Sequence, residues 1–168
     1  MARQVADPVK DGCEAARFLK RTGVANKTAA MGGSCGGFMT LAVLVECPDL
    51  WDAAVDVVGI ADWHTFFANM PPWRGVWRMN EYGDPNGAEA EFLREISPIH
   101  RAHLIKAPLL VIHGRNDPRV PVEESEQVAR ATGAELMIFE DDGHGIAGVA
   151  NQVTSNRRIL EFLAKHLS

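Results

Sequence analysis

Short apolar runs alternate along this chain with longer stretches in which apolar and charged residues are mixed. Four of the runs read as buried strands: Thr28 to Met31, Ala53 to Ile60, Pro108 to Gly114 and Glu135 to Glu140. Between them the period lengthens. Val9 to Thr22 sets Val9, Cys13, Ala16, Phe18 and Leu19 among charges, which predicts an amphipathic helix ending before Gly23. Phe38 and Leu41 to Val45 predict a buried helix that stops near Pro48, and two further helices are expected over about Val122 to Ala131 and Asn151 to His166. Strand and helix in alternation predict an α/β fold of about four parallel strands flanked by helices. The rhythm lapses between Asp62 and Arg94, where Trp63, Phe66, Phe67, Pro71, Pro72, Trp73, Trp77 and Tyr82 show no clean period. An irregular insert over the crevice of the sheet is expected there. With no repeat, low-complexity tract or linker, residues 1–168 read as one partial domain.

The junction of the first strand and its helix carries candidate chemistry. Gly32-Gly33-Ser34-Cys35-Gly36 is a G-x-S-x-G across a strand-to-helix turn, the setting of a nucleophile elbow. Such a turn raises the serine hydroxyl above the sheet with the helix N-terminus beneath it, where negative charge is stabilised. Alone the motif is weak, because a Gly-Ser turn at a helix start can be a simple N-cap. The order of the other candidates favours chemistry: Asp117 follows the third strand and His144 the fourth. Serine, then aspartate, then histidine, each just past the C-terminal end of a strand, is the hydrolase order at the edge where an open parallel sheet forms its crevice. His144 stands between Gly143 and Gly145, in a loop able to present its ring. Asp141 and Asp142 compete for the acid role but lie too near His144 in sequence, and read as solvated or loop-capping. His113 reads as packing or hydrogen-bonding in the sheet, His64, His100, His103 and His166 as residues without a partner pattern, Arg115 and Arg119 as loop charges, and no metal-ligand spacing occurs.

These segments resemble the C-terminal catalytic domain of the prolyl oligopeptidase family of serine peptidases. Met31 to Thr40 is similar to its nucleophile segment, Glu81-Tyr82-Gly83-Asp84-Pro85 and Ser97-Pro98 to its intervening landmarks, Asn116 to Pro121 to its acid segment, and Asp142-Gly143-His144-Gly145 to its histidine loop. The resemblance runs from about Asp11 to the C-terminus. It implies a truncated α/β-hydrolase fold, with Ser34 as nucleophile, Asp117 as acid and His144 as base. The sequence also departs from the family, whose members carry a gating domain and a His-Gly-Gly-type loop upstream. Here 33 residues precede Ser34, with no histidine and no paired glycines before Gly32. Cys35 replaces a common aromatic residue, and its backbone amide is the one oxyanion donor expected.

Composition narrows the partners. A formal net charge of −5 without a Lys/Arg cluster argues against nucleic acid or an anionic membrane. No apolar run nears the roughly 18 residues that span a bilayer, and Met1 to Gln4 leads into no signal-peptide core, so a cytoplasmic protein is expected. Cys13, Cys35 and Cys47 are odd in number and lack C-x-x-C spacing, so free thiols are expected, with no cofactor and no metal. The expected function is a serine hydrolase cleaving small peptides or esters through an acyl-enzyme. The alternatives are a carboxylesterase without peptidase activity and a catalytically silent assembly module. Because nothing upstream covers the Thr28 to Met31 strand, that strand is expected to be a sheet edge that pairs with a second copy, giving a homodimer or higher oligomer, and turnover is expected to be slow.

Overall fold

The computed structural model describes residues 6–70 and 72–168; the Met1 to Gln4 segment and Pro71 of the expected insert lie outside the described residues. Its centre is a parallel sheet of four strands in the order β1-β2-β3-β4: β1 Ala29–Gly33, β2 Ala53–Val57, β3 Leu109–Gly114 and β4 Glu135–Phe139. Spatial order follows chain order, with Gly33 beside Val57 and Gly114 beside Phe139. All four strands therefore end at one edge, and the loops that follow them are neighbours. β3 is buried along its whole length, which its unbroken Leu109-Leu110-Val111-Ile112 run requires.

Helices cover the two faces unequally. α1 (Ala6–Arg21), α2 (Cys35–Glu46) and α6 (Glu123–Thr132) pack on the face bearing Ala30, Ala54, Leu109 and Val111. α7 (Val149–Leu167) lies on the other, where Ile159 and Phe162 meet Val55, Leu110 and Ile112. α2 begins at the elbow, and Gly37, Phe38 and all of Thr40 to Val45 are buried, so it is the central helix of the layer. Gly133 ends α6 in the left-handed conformation a helix C-terminus favours. The expected edge is present among the described residues, where β1 pairs with β2 alone. Thr28 is nonetheless tied down, its hydroxyl donating to the Leu50 carbonyl at 2.9 Å and its amide to Asp52 Oδ2 at 2.8 Å. The apolar exposure falls instead on Met31, 55% exposed, with Phe18 and Val24 nearby in sequence on α1 and its following turn also exposed.

The segment expected to be irregular is helical. α3 (Trp63–Asn69), α4 (Pro72–Tyr82) and α5 (Ala90–Ile96) occupy most of it, followed by a 3-10 turn over Pro98–Leu104. Each helix is too short for a period to emerge from the sequence, and aromatic packing orders them. Trp63 sits edge-on to Phe38 and Phe66, with ring centroids 5.2 and 5.5 Å away, and Tyr82 lies 4.5 Å from it on another side. Asp62 caps α3 by accepting from the His64 amide, and the wholly buried Glu124 of α6 accepts from the Ala61 and Asp62 amides, both at 2.9 Å. Glu124 thereby pins the start of α3 to α6, although burial pushes its carboxyl up to about 7.

Asp56 of β2 is less satisfied than Glu124. It has no exposure, neither carboxyl oxygen has a hydrogen-bond partner of good geometry among the described residues, and burial pushes it up to about 7, offset only in part by the His113 ring. A carboxyl whose folded-state value is raised stabilises the fold below its unfolded value, near 4, and loses that contribution as pH rises through 7. Replacing Asp56 with Asn removes the ionisation at constant volume. The Asp56→Asn protein should match the parent in urea midpoint at pH 4 and exceed it at pH 8; a parent whose midpoint does not fall relative to the variant over that range contradicts the assignment.

Candidate functional site

Ser34 stands between Gly33, which ends β1, and Cys35, which begins α2. Its backbone is strained, with φ 58° and ψ −118°, a region that L residues other than glycine rarely adopt. The elbow is held by its neighbours: the Ser34 amide donates to the Val57 carbonyl at 2.9 Å and the Ser34 carbonyl accepts from the Phe38 amide at 3.0 Å. Strand and helix come so close that a Cβ on Gly32 would stand 2.3 Å from the Gly36 carbonyl oxygen, so only glycine fits there. The Cys35 amide, in the first helical turn, has no acceptor within its own helix and is aimed by the macrodipole at incoming negative charge.

Asp117 and His144 meet across two neighbouring loops. Asp117 Oδ2 lies 2.7 Å from His144 Nδ1, and Asp117 Oδ1 accepts from the Arg119 and Val120 amides at 2.7 and 3.0 Å. The carboxylate is fully buried, whereas the His144 ring is 18% exposed. Burial works to raise the Asp117 carboxyl, but the His113 and His144 rings and the two amides outweigh it and hold the group well below the usual carboxylate range. The two loops are zipped: Asn116 donates to the Asp142 carbonyl from its amide at 2.9 Å and to the Glu140 carbonyl from its side chain at 2.8 Å. A Cβ on Gly114 would stand 2.3 Å from the Gly143 carbonyl oxygen, a second close approach that fixes the path of the histidine loop. Asp142 is loop-capping: its Oδ1 accepts from the Ala147 and Gly148 amides at 2.8 and 3.0 Å. Ile146, at φ 43°, is pressed into the α7 face of the core.

The family model for the prolyl oligopeptidase family matches residues 3–168, nearly the whole chain. The chain belongs to the prolyl oligopeptidase family. It is 37% identical to dipeptidyl aminopeptidase BIII of Pseudoxanthomonas mexicana over 168 aligned residues, which cover 94% of this chain and 24% of that enzyme. Among solved structures it is similar to a Mycobacterium tuberculosis puromycin-hydrolyzing peptidase, with TM-score 0.86 and 30% identity over 96% of this chain and 25% of that one. It is also similar to the acylaminoacyl peptidase of Pyrococcus horikoshii, with TM-score 0.78 and 29% identity over 90% and 26%. The chain thus spans about a quarter of the length of these relatives. Its sheet and helices are those of the α/β-hydrolase peptidases.

Within this prolyl oligopeptidase fold the strand ends bring Ser34, Asp117 and His144 to one edge, but only Asp117 and His144 are hydrogen bonded; the Ser34 hydroxyl has no such bond among the described residues. Bonds of this kind are often long in an empty site and tighten around substrate. One contributor escaped sequence reading. His113, expected at its strand end to pack or hydrogen-bond in the sheet, has no exposure; its Nδ1 is 2.6 Å from Ser125 Oγ, and its Nε2 is 3.0 Å from the Val120 carbonyl and 3.4 Å from Asp117 Oδ2. Carbonyl and carboxylate both accept, so Nε2 carries the proton and Nδ1 accepts from Ser125. Its signal in the sequence was a histidine closing a wholly apolar strand four residues before the acid. Arg115, read as a loop charge, bridges Glu126 and Glu140. A cavity of about 440 Å³ opens beside Asp117, lined also by Met70, Arg115, Arg119 and Val122. Another, of about 580 Å³ between α1, α2 and α5, holds none of Ser34, Asp117 and His144.

Because the Asp117 carboxyl is depressed in the fold, its contribution to stability is present above its unfolded value near 4 and lost as pH falls toward the folded one. Asp117→Asn keeps the volume but gives up the charge. At pH 7 the variant should be less stable by about 1–3 kcal/mol, the cost of weakening hydrogen bonds to a buried carboxylate, and the gap should narrow below pH 4. Urea denaturation at pH 7 and pH 3 tests this; a gap that is equal at both would contradict it.

Proposed function

We propose that this chain is the catalytic portion of a serine hydrolase that cleaves small peptides or esters through an acyl-enzyme. Ser34 is the nucleophile, His144 the base, Asp117 the group that orients His144, and the Cys35 amide an oxyanion donor. The observation that carries the reading is the 2.7 Å contact from His144 Nδ1 to the buried Asp117, at the same sheet edge as a serine in a strained elbow. With Nδ1 donating to Asp117, His144 Nε2 is left unprotonated to take the Ser34 hydroxyl proton as Oγ attacks the carbonyl carbon. The tetrahedral oxyanion is met by the Cys35 amide at the N-terminus of α2. His144 then gives its proton to the leaving amine or alkoxide, the carbon–leaving-group bond breaks, and water repeats the sequence to release the acid and restore Ser34.

Esters are the favoured first substrates. Their leaving groups depart more readily than amines, so ester cleavage asks less of the Cys35 amide as oxyanion donor. The relatives named as peptidases support amide cleavage as the fuller activity, and they act in chains some four times as long. Three free cysteines suit a reducing compartment, and the cytoplasm is the location proposed. Among the described residues no helix is long and apolar enough to cross a membrane. The β1 edge with its exposed Met31 is the surface proposed for pairing with a second copy.

Hydrolysis of p-nitrophenyl acetate should be lost in Ser34→Ala while the circular-dichroism spectrum stays that of the parent. Turnover surviving Ser34→Ala would reject the roles assigned. Sedimentation at micromolar concentration should find dimers, and a monomer throughout would reject the pairing.

A further inference from the structure

α1 and α2 meet at a pair of thiols. Gly12 of α1 faces Val43 of α2 so closely that a Cβ on it would stand 3.2 Å from Val43 Cγ1, and the missing side chain lets the two helices approach there. Cys13, the next residue of α1 and 1% exposed, puts its Sγ 4.0 Å from the Val43 carbonyl oxygen. Cys47 closes α2, and its amide donates to that same carbonyl at 3.0 Å. One turn beyond Cys13, on the same side of α1, the Arg17 guanidinium donates to Cys47 Sγ at 3.1 Å. Cys13 and Arg17 therefore face Val43 and Cys47 across one helix contact. The two thiols feel each other there: burial, and after it the Cys47 thiol, push the Cys13 thiol up to about 12.

The two sulfurs differ in access. Cys13 is sealed within the core, whereas Cys47 packs at its margin and is only half-buried, so a small oxidant reaches Cys47 first. Arg17 turns one nitrogen to Glu14 at 2.6 Å and the other to Cys47 Sγ, and Glu46, the acid next to Cys47, is paired with Arg101 at 3.3 Å. A guanidinium bonded to a solvent-reachable sulfur is the setting in which a thiolate forms and reacts rather than merely packs. The third thiol cannot substitute for either. Cys35 begins α2, and the length of that helix sets it roughly 18 Å from Cys47, well beyond the ~7 Å between Cα atoms that a disulfide spans.

From this juxtaposition we infer that Cys13 and Cys47 are a redox modification site, joined as a reversible disulfide when the protein meets a hydroperoxide, with Cys47 reacting first and Cys13 resolving it. The Cys47 thiolate attacks a peroxide oxygen; the S–O bond forms as the O–O bond breaks, and the departing oxygen takes the thiol proton and leaves as water or alcohol. Cys13 Sγ then attacks the Cys47 sulfenic acid; the S–S bond forms, the S–O bond breaks, and hydroxide leaves with the Cys13 proton as water. Two thiols give up two electrons and the peroxide gains them. The bond closes a loop that contains β1, the Ser34 elbow and the whole of α2, so it restrains the unfolded chain and staples the elbow unit to α1.

The folded parent is treated with a small excess of hydrogen peroxide, alkylated, digested without reductant and mapped by mass spectrometry. The expected product is one intramolecular pair linking the Cys13 and Cys47 peptides, a mass change of about −2 Da for the two hydrogens lost, and a urea midpoint raised by about 1 M, all reversed by dithiothreitol. Cys47→Ser, at a half-buried position and with the circular-dichroism spectrum of the parent, should give neither the pair nor the rise. Arg17→Gln should form the pair about threefold more slowly. Oxidation confined to Cys35, bridges only between molecules, a Cys13–Cys47 pair that forms only in denaturant, a midpoint that rises equally in Cys47→Ser, or an Arg17→Gln rate equal to the parent's overturns the inference.

Discussion

A carboxylate buried without any exposure organises the C-terminal edge of the sheet. Asp117 must be ionised to accept from the Arg119 and Val120 amides and to hold His144, yet it sits where burial disfavours charge. The conflict is resolved by surrounding it with donors, since a buried charge is tolerated only when its lone pairs are used. Two amides of its own loop, the ring of His144 and the ring of His113 supply them. The demand reaches outward. His113 can offer its Nε2 proton in that direction because Ser125 satisfies its other nitrogen, which ties the first turn of α6 to the site. The histidine loop keeps its path because Asp142 caps it and Gly114 lets it cross the end of β3.

Strain gathers at the same edge. Ser34, Val58 and Ile146 are the non-glycine residues with positive φ among those described, and each follows the C-terminal end of a strand. Conformations of this kind cost roughly 1–3 kcal/mol each and persist only where packing over-determines them. Val58 is held by its amide donating to the Ile112 carbonyl at 2.8 Å and Ile146 by the α7 core. The sheet supplies the rigidity against which this strain is stored, and the buried carboxyls of Asp56 and Glu124 add the cost of their own burial.

What could be read in the sequence followed from how each element is stabilised. The strands were legible because they are buried runs closed by glycine or turn residues: the third was expected from Pro108 and begins at Leu109, whereas the second was expected to reach Ile60 and ends at Val57. Ser34, Asp117 and His144 were legible as candidates because strand-to-loop position and chain order constrain them together. The helices between Trp63 and Tyr82 were not, since their order comes from contacts with Phe38 of α2 and from Glu124 of α6, both distant in sequence. His113 was passed over for the same reason: its partners, Ser125 and Val120, become its neighbours only when the acid loop folds back over the strand end.

The account stands on the claim that the elbow serine is the reactive group of this edge and that its reactivity depends on the histidine beside the buried carboxylate. A fluorophosphonate probe followed by peptide mapping addresses that claim most directly, because the adduct names the atom that attacked. The account predicts one stoichiometric adduct on the peptide containing Ser34, formed more slowly when His144 is replaced by Gln. Adducts scattered over other hydroxyls, or labelling of Ser34 at the same rate without His144, would contradict it.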